Sequence, residues 1–211
     1  MVGGTVRRMG AGRVLLVRHG QSVWNAEGRW QGQLDPPLSD VGAEQARAAA
    51  AHLDGVVAVA TSDLDRARRT AEILAEALGV GPAIVEPGLR ERHAGEWQGL
   101  TRAEIEERYP GSLAARHWPV GWEDDRTVLA RAVPALVGLA RLAAERGGPV
   151  VAVSHAGLIR AVERRLGVPL APLPNLGGLW IEVGEDGTLV AGDRAVLIDP
   201  GEAPVTVPRS L

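Results

Sequence analysis

Three short runs of the chain are apolar at every position: Val14-Leu15-Leu16-Val17, Val56-Val57-Ala58-Val59-Ala60 and Val150-Val151-Ala152-Val153. A strand with one face in water alternates apolar and polar residues, so these unbroken, β-branched runs predict strands covered on both faces. Between them the period lengthens to that of a helix. Leu64, Ala67, Ala71, Leu74 and Leu78 share one face, with Gly79 as the stop. Ser39 can cap a helix carrying Ala43, Ala46, Ala50 and Leu53 that ends near Gly55. Thr101 and Glu104 have capping-box spacing and open a helix that Tyr109-Pro110-Gly111 closes. Leu129, Val133, Leu136, Ala140 and Ala143 mark a longer helix running to Gly147, which Pro134 either kinks or begins. Near the C-terminus, Trp180-Ile181-Glu182-Val183, a Gly184-Glu185-Asp186-Gly187 turn and Thr188-Leu189-Val190 predict a hairpin at the edge of the sheet.

Strands alternating with helices predict an α/β fold, a three-layer αβα sandwich around a mostly parallel sheet. The 211 residues suit a single domain, placed at 13–199, with loosely ordered ends at 1–12 and 200–211. The stretch from about 86 to 126 holds four of the seven aromatic residues and is expected to be a lid insertion over the site.

Two of the apolar runs end alike, in Arg18-His19-Gly20 and in Ser154-His155-Ala156. In a parallel sheet this places both imidazoles at the carboxyl edge, where α/β folds bind ligands. The third run leads into Asp65-Arg66, which puts Arg66 in the first turn of a helix at the same edge. Two histidines with Arg18 and Arg66 suit phosphoryl transfer: a neutral imidazole attacks phosphorus while guanidinium groups hold the equatorial oxygens. Glu91 is the best-placed acid for the leaving oxygen. A single histidine after a strand is more often structural, and from the residues alone the two readings stand even.

Composition narrows the chemistry. There is no Cys and no Lys, so all 23 basic side chains are Arg, and Cys nucleophiles, Cys-ligated metals, Schiff-base lysines and P-loops are excluded. Scarcity of Lys, Phe, Asn, Tyr and Ile together matches a GC-rich coding bias. A net charge of −3 argues against a nucleic-acid partner. No apolar stretch in the sequence approaches the roughly 20 residues of a membrane span, and VLLV is too short for a signal peptide, so a cytoplasmic protein is expected.

The residues also carry a resemblance. Arg18-His19-Gly20-Gln21-Ser22-Val23-Trp24-Asn25, Arg29-Trp30-Gln31-Gly32, Ser62-Asp63-Leu64-Asp65-Arg66, Leu89-Arg90-Glu91 and Val153-Ser154-His155-Ala156-Gly157 resemble, in order, the blocks of the histidine phosphatase superfamily, phosphoglycerate-mutase-like branch. The resemblance covers about residues 13–160. It implies that His19 becomes phosphohistidine, that Arg18, Arg66 and His155 surround the phosphoryl group, and that Glu91 is general acid and then base. Asn25 would complete the phosphate pocket, while Gln31 and Gly32 would meet the rest of the substrate, with Ser22 and Ala156 beside them. Ala156 departs from the Gly often found there.

The resemblance also implies a phosphatase that needs no metal or other cofactor. Mutases of the superfamily carry basic residues in the insertion, whereas here it reads His117-Trp118-Pro119-Val120-Gly121-Trp122-Glu123-Asp124-Asp125-Arg126. A cofactor-dependent phosphoglycerate mutase, a catalytically silent binding protein and, last, a metal hydrolase are the alternatives. The substrate expected is a small phosphoester of the sugar phosphate or phosphoglycerate type, and two segments resemble those of glucosyl-3-phosphoglycerate phosphatases. A homodimer is left open. Trp118 and Trp122 are lid candidates for contact with substrate, Glu123 and Asp124 could bind hydroxyls, and His93 could line the pocket; Trp30, Trp97 and Trp180 are expected in the core.

Overall fold

The computed structural model describes residues 12–199. The first apolar run is β1 (Gly12–Arg18) and the third is β4 (Val150–Ser154), paired in parallel from Val14 opposite Val150 to Arg18 opposite Ser154. The middle run is β2 (Ala58–Thr61), which flanks β4 in parallel, and the two-residue β3 (Ile84–Val85), which the pattern did not announce, follows β2. On the other side β5 (Gly177–Val183) runs antiparallel to β1, and β6 (Leu189–Val196) antiparallel to β5, giving the order β3-β2-β4-β1-β5-β6. The expected hairpin thus forms the edge of a mostly parallel sheet.

The unbroken apolar runs are explained by helices on both faces. Leu15, Val17, Val151 and Val153 pack with α2 (Asp40–Ala50) and α3 (Asp65–Leu78), while Val14, Leu16, Val150 and Ala152 pack against α6 (Asp125–Arg146) and α7 (Ala156–Arg165). The caps fall where the sequence puts them: Ser39 on α2, Gly79 ending α3, and the Thr101/Glu104 box opening α4 (Arg102–Arg108). Pro134 does not start a helix. α6 begins at Asp125, capped by Asp124 accepting from Thr127 N–H, and runs 22 residues with the proline inside it. By length and composition it is the one helix among the described residues able to cross a membrane, a stretch the sequence reading passed over. Its Val128, Ala132, Leu136, Ala140 and Ala143 are spent instead on the sheet.

Segment 86–126 contains α4, the short α5 (Ser112–Ala115) and a small core of its own built from Trp97, Leu100 and Ile105. The expectation of loose ends falls outside the described residues except at Gly12, which opens β1. A Cβ there would lie 1.9 Å from the Ala140 carbonyl oxygen, so the missing side chain is what lets strand and helix approach.

Candidate active site

Because β1 and β4 are neighbours in register, the residues that follow them emerge side by side. His19 N–H extends the ladder to the Ser154 carbonyl at 2.9 Å, and the rings of His19 and His155 lie 5.1 Å apart, both buried. Gly20 is required next: the backbone of Gly42 in α2 lies against it, and a Cβ would come within 2.5 Å of the Gly42 carbonyl. From the first turn of α3, buried Arg66 donates through Nε to His19 Nε2 at 3.3 Å and through its two terminal nitrogens to the Leu34 and Gly32 carbonyls. Arg18, also buried, donates to the Leu173 carbonyl.

The state of His19 follows from its partners. Nδ1 lies 2.5 Å from the Gly20 carbonyl oxygen, which can only accept, so Nδ1 carries the proton and Nε2 the lone pair. Burial, reinforced by Arg66 and Arg18, holds this imidazole well below its ordinary pKa of 6.5 and keeps it neutral. His155 is held down likewise, by burial first and then by Arg66 and His19. Burial also lowers Arg18 and Arg66 to about 10, which leaves both cationic at neutral pH.

Glu91 sits at the start of α7. Arg92 N–H and Leu158 N–H donate to Oε1 at 2.7 and 3.1 Å, and Gly157 N–H donates to Oε2 at 3.0 Å. Both lone pairs of Oε1 are thereby used and one on Oε2 is left, so Oε2 is the oxygen that can carry a proton.

Arg18, His19, Arg66 and Glu91 line a cavity of about 540 Å³, together with Asn25, Gln31, Gly32, Trp122, Ala156 and Gly157. Asn25 Oδ1 accepts from Ser22 N–H, which turns the amide NH2 outward as a donor. Gly32 acts through its carbonyl, which holds Arg66. Four expected site residues do not line this cavity, and one of them is His155, wholly buried with its ring against that of His19. Ser22 is buried under it, capping α1 (Val23–Glu27) and donating to Gln31 Oε1. His93 is turned to the Gly121 carbonyl and Gln98. Trp118 is stacked on the far side of the aromatic group, its ring 4.4 Å from that of Trp122. The acids proposed for hydroxyls are also occupied: Glu123 pairs with Arg131, and Asp124 caps α6. Trp30, expected in the core, lines the cavity instead, while Trp97 is fully buried behind it as the hub of the aromatic group.

The supporting roles of several residues were not legible in the sequence. Asn175 Nδ2 donates to the His19 carbonyl, from a loop in which Leu176 adopts a left-handed φ of 54°. Thr70, one turn after Arg66, accepts from Gly20 N–H and donates to the Arg66 carbonyl. Arg131 ties down the Glu91 loop by donating to the carbonyls of Gly88, Arg90 and Glu91. Asn175 was visible only as one of two asparagines, and Arg131 had no local signal for this role, because the carbonyls they hold belong to residues at least 40 positions away.

A family model described as the histidine phosphatase superfamily (branch 1) matches residues 14–180. A glucosyl-3-phosphoglycerate phosphatase of Mycolicibacterium vanbaalenii is 38% identical over 206 residues, 90% of this chain and 88% of that protein. A metal-independent phosphoserine phosphatase of Arabidopsis thaliana is 37% identical over 163 residues, 72% of this chain and 68% of that one. A solved mycobacterial glucosyl-3-phosphoglycerate phosphatase in complex with VO3 superposes with a TM-score of 0.76 at 36% identity, covering 86% of this chain and 96% of that structure.

Proposed function

The chain belongs to the histidine phosphatase superfamily, branch 1, and is a phosphomonoester hydrolase; on that premise we propose that it works through a phosphohistidine on His19 and takes a phosphoester of sugar or phosphoglycerate type. The observation that carries the reading is the bare Nε2 of His19, neutral and buried between two guanidinium groups.

Substrate phosphate enters beside Arg18 and Arg66. His19 Nε2 attacks phosphorus, and the Nε–H of Arg66 passes from that lone pair to a phosphoryl oxygen, where charge builds. As the bond from phosphorus to the alcohol oxygen breaks, Glu91 Oε2 donates its proton to that oxygen. Water then enters. Oε2 takes a proton from it, the hydroxide oxygen bonds to phosphorus, and the phosphorus–nitrogen bond breaks to release inorganic phosphate and restore His19. The adjoining arginines make the histidines poor ligands for a divalent cation, and among the described residues no group of three His, Cys, Asp or Glu side chains could hold one.

The cavity is in the size range of small-molecule sites, and its walls combine Trp30 and Trp122 with Asn25, Gln31 and Thr101, which suits an alcohol moiety with both apolar and hydroxylated faces. Glucosyl-3-phosphoglycerate, named for two of the matched proteins, has that character. The net charge of −3 favours a small molecule over a polyanionic partner. Hydrolysis of an aryl phosphate should survive a chelator, trap an acid-labile phosphoenzyme and vanish in His19→Ala. Activity retained in that variant would overturn the assignment, and a panel of phosphoesters read by phosphate release ranks the substrates.

A further inference from the structure

His155 is the second histidine of the site, yet its Nδ1 is buried without a hydrogen-bond partner. An unpaired buried donor or acceptor is destabilising, so the group calls for an explanation. The other ring nitrogen supplies it. Nε2 lies 2.7 Å from the hydroxyl of Ser62, which is itself wholly buried at the end of β2. The Ser62 oxygen already accepts from Leu64 N–H at 3.3 Å. Its own proton has one acceptor within reach among the described residues, and that is His155 Nε2. If Nε2 carried the proton, the hydroxyl hydrogen would be left without a partner at a wholly buried position. The ring is neutral, so it holds one proton, and that proton belongs on Nδ1.

We propose that Ser62 is a positioning residue that fixes His155 in its Nδ1–H tautomer, so that the two neighbouring imidazoles present opposite faces, a lone pair at His19 and a hydrogen-bond donor at His155. The Gly20 carbonyl sets the first by accepting from Nδ1, and the Ser62 hydroxyl sets the second by donating to Nε2. The unpaired Nδ1–H of His155 is then the donor kept for a phosphoryl oxygen. Tautomer control is needed because a neutral histidine offers one donor and one acceptor, and the wrong choice would aim a lone pair at an anion. This assignment rests on the phosphohistidine reading for its purpose, while the tautomer itself can be read in the resting protein.

The test is long-range proton–nitrogen correlation spectroscopy on the 15N-histidine-labelled full chain at neutral pH. The expected spectrum shows His155 protonated at Nδ1 and bare at Nε2, and the opposite tautomer would overturn the proposal whether or not the protein hydrolyses phosphoesters. Removing one donor to a developing oxyanion costs about 10²–10³ in kcat, and Ser62→Ala keeps the donor but lets the tautomers mix. That variant should therefore lose about 10-fold in kcat with KM changed less than about 3-fold, and bind vanadate about 10-fold more weakly. Ser62→Thr, which keeps the hydroxyl, should restore both. An unchanged His155 spectrum with unchanged kcat in Ser62→Ala would refute the role. Should the alanine variant fail to fold, the wild-type spectrum decides. Absence of phosphatase activity in the wild type with the expected tautomer present would count against the phosphohistidine reading instead.

Discussion

Gly157→Ala separates the machinery of the site from its stability. A Cβ at this position would lie 2.6 Å from Glu91 Oε1 and 3.2 Å from Arg92 Cβ. The closer atom is the end of a flexible side chain, so the carboxylate moves aside and the backbone stays. Gly157 is the second residue of α7, where exchanging Gly for Ala gains up to about 1 kcal/mol of helix propensity. The displaced carboxylate gives up its contacts with Gly157 N–H and Leu158 N–H, each a charge-assisted bond of about 1.5–3 kcal/mol, partly replaced by water at the cavity. With water at the cavity taking over most of what the two amides supplied, global stability stays within about 1–2 kcal/mol of wild type. Catalysis loses more, because Glu91 Oε2 no longer sits where it exchanges a proton with the alcohol or water, and a displacement of about 1 Å costs on the order of 10²-fold. With 4-nitrophenyl phosphate the leaving group needs little acid help, so phosphorylation of His19 persists while hydrolysis of the phosphoenzyme slows. Stopped-flow measurement should show a burst of nitrophenolate close to one equivalent, then a steady rate about 100-fold below wild type. A wild-type steady rate without a burst would refute the claim that the α7 amides position Glu91.

Other outcomes follow from the same geometry. Trp97→Ala should cost about 3–5 kcal/mol in denaturant unfolding and raise KM, since Trp30 and Trp122 of the cavity wall pack on it; Trp97→Phe should cost less. Asn175→Leu leaves the His19 carbonyl without that donor and should cost about 1–3 kcal/mol while lowering kcat more than it raises KM. The two site histidines titrate near 6.5 in the unfolded chain but well below that when folded, so beneath pH 6.5 the unfolded state binds the extra protons. Stability should be complete above that pH and fall as pH drops, by roughly 1.4 kcal/mol per unit for each histidine. Asp125, lowered to about 2 by Arg164 and Arg92, adds a second loss as pH falls from 3.8 to about 2. Thermal melts between pH 4 and 8 check the first window, and a profile that is flat or rises toward pH 5 contradicts it.

Much of the site was legible because its groups are local to strong signals. His19 and His155 each lie two residues past a buried apolar run and Arg66 opens the helix that follows the third, and the carboxyl edge of a parallel sheet gathers whatever follows such runs. Glu91 came from its motif, and the capping residues of α2 and α4 from spacing alone. Most of the misplaced residues share a cause. Trp118, Trp122, His93 and Glu123 lie in one segment whose polarity suggested contact with substrate, but only Trp122 faces the cavity. The rest are consumed in holding the segment together, through ring stacking, a carbonyl contact and the pair with Arg131. Irregular segments have no period, so nothing in the order of residues says which side faces inward.

By itself the sequence determined the layers, the sheet edge and the residue types that gather there, because burial imposes a period that chemistry alone does not hide. Tertiary structure decided the protonation faces of the two histidines, the hold on Glu91 and the wall of the cavity. Those depend on single carbonyls, hydroxyls and amides brought within 3 Å or so from distant parts of the chain, and a backbone group that accepts or donates looks the same at every position of a sequence.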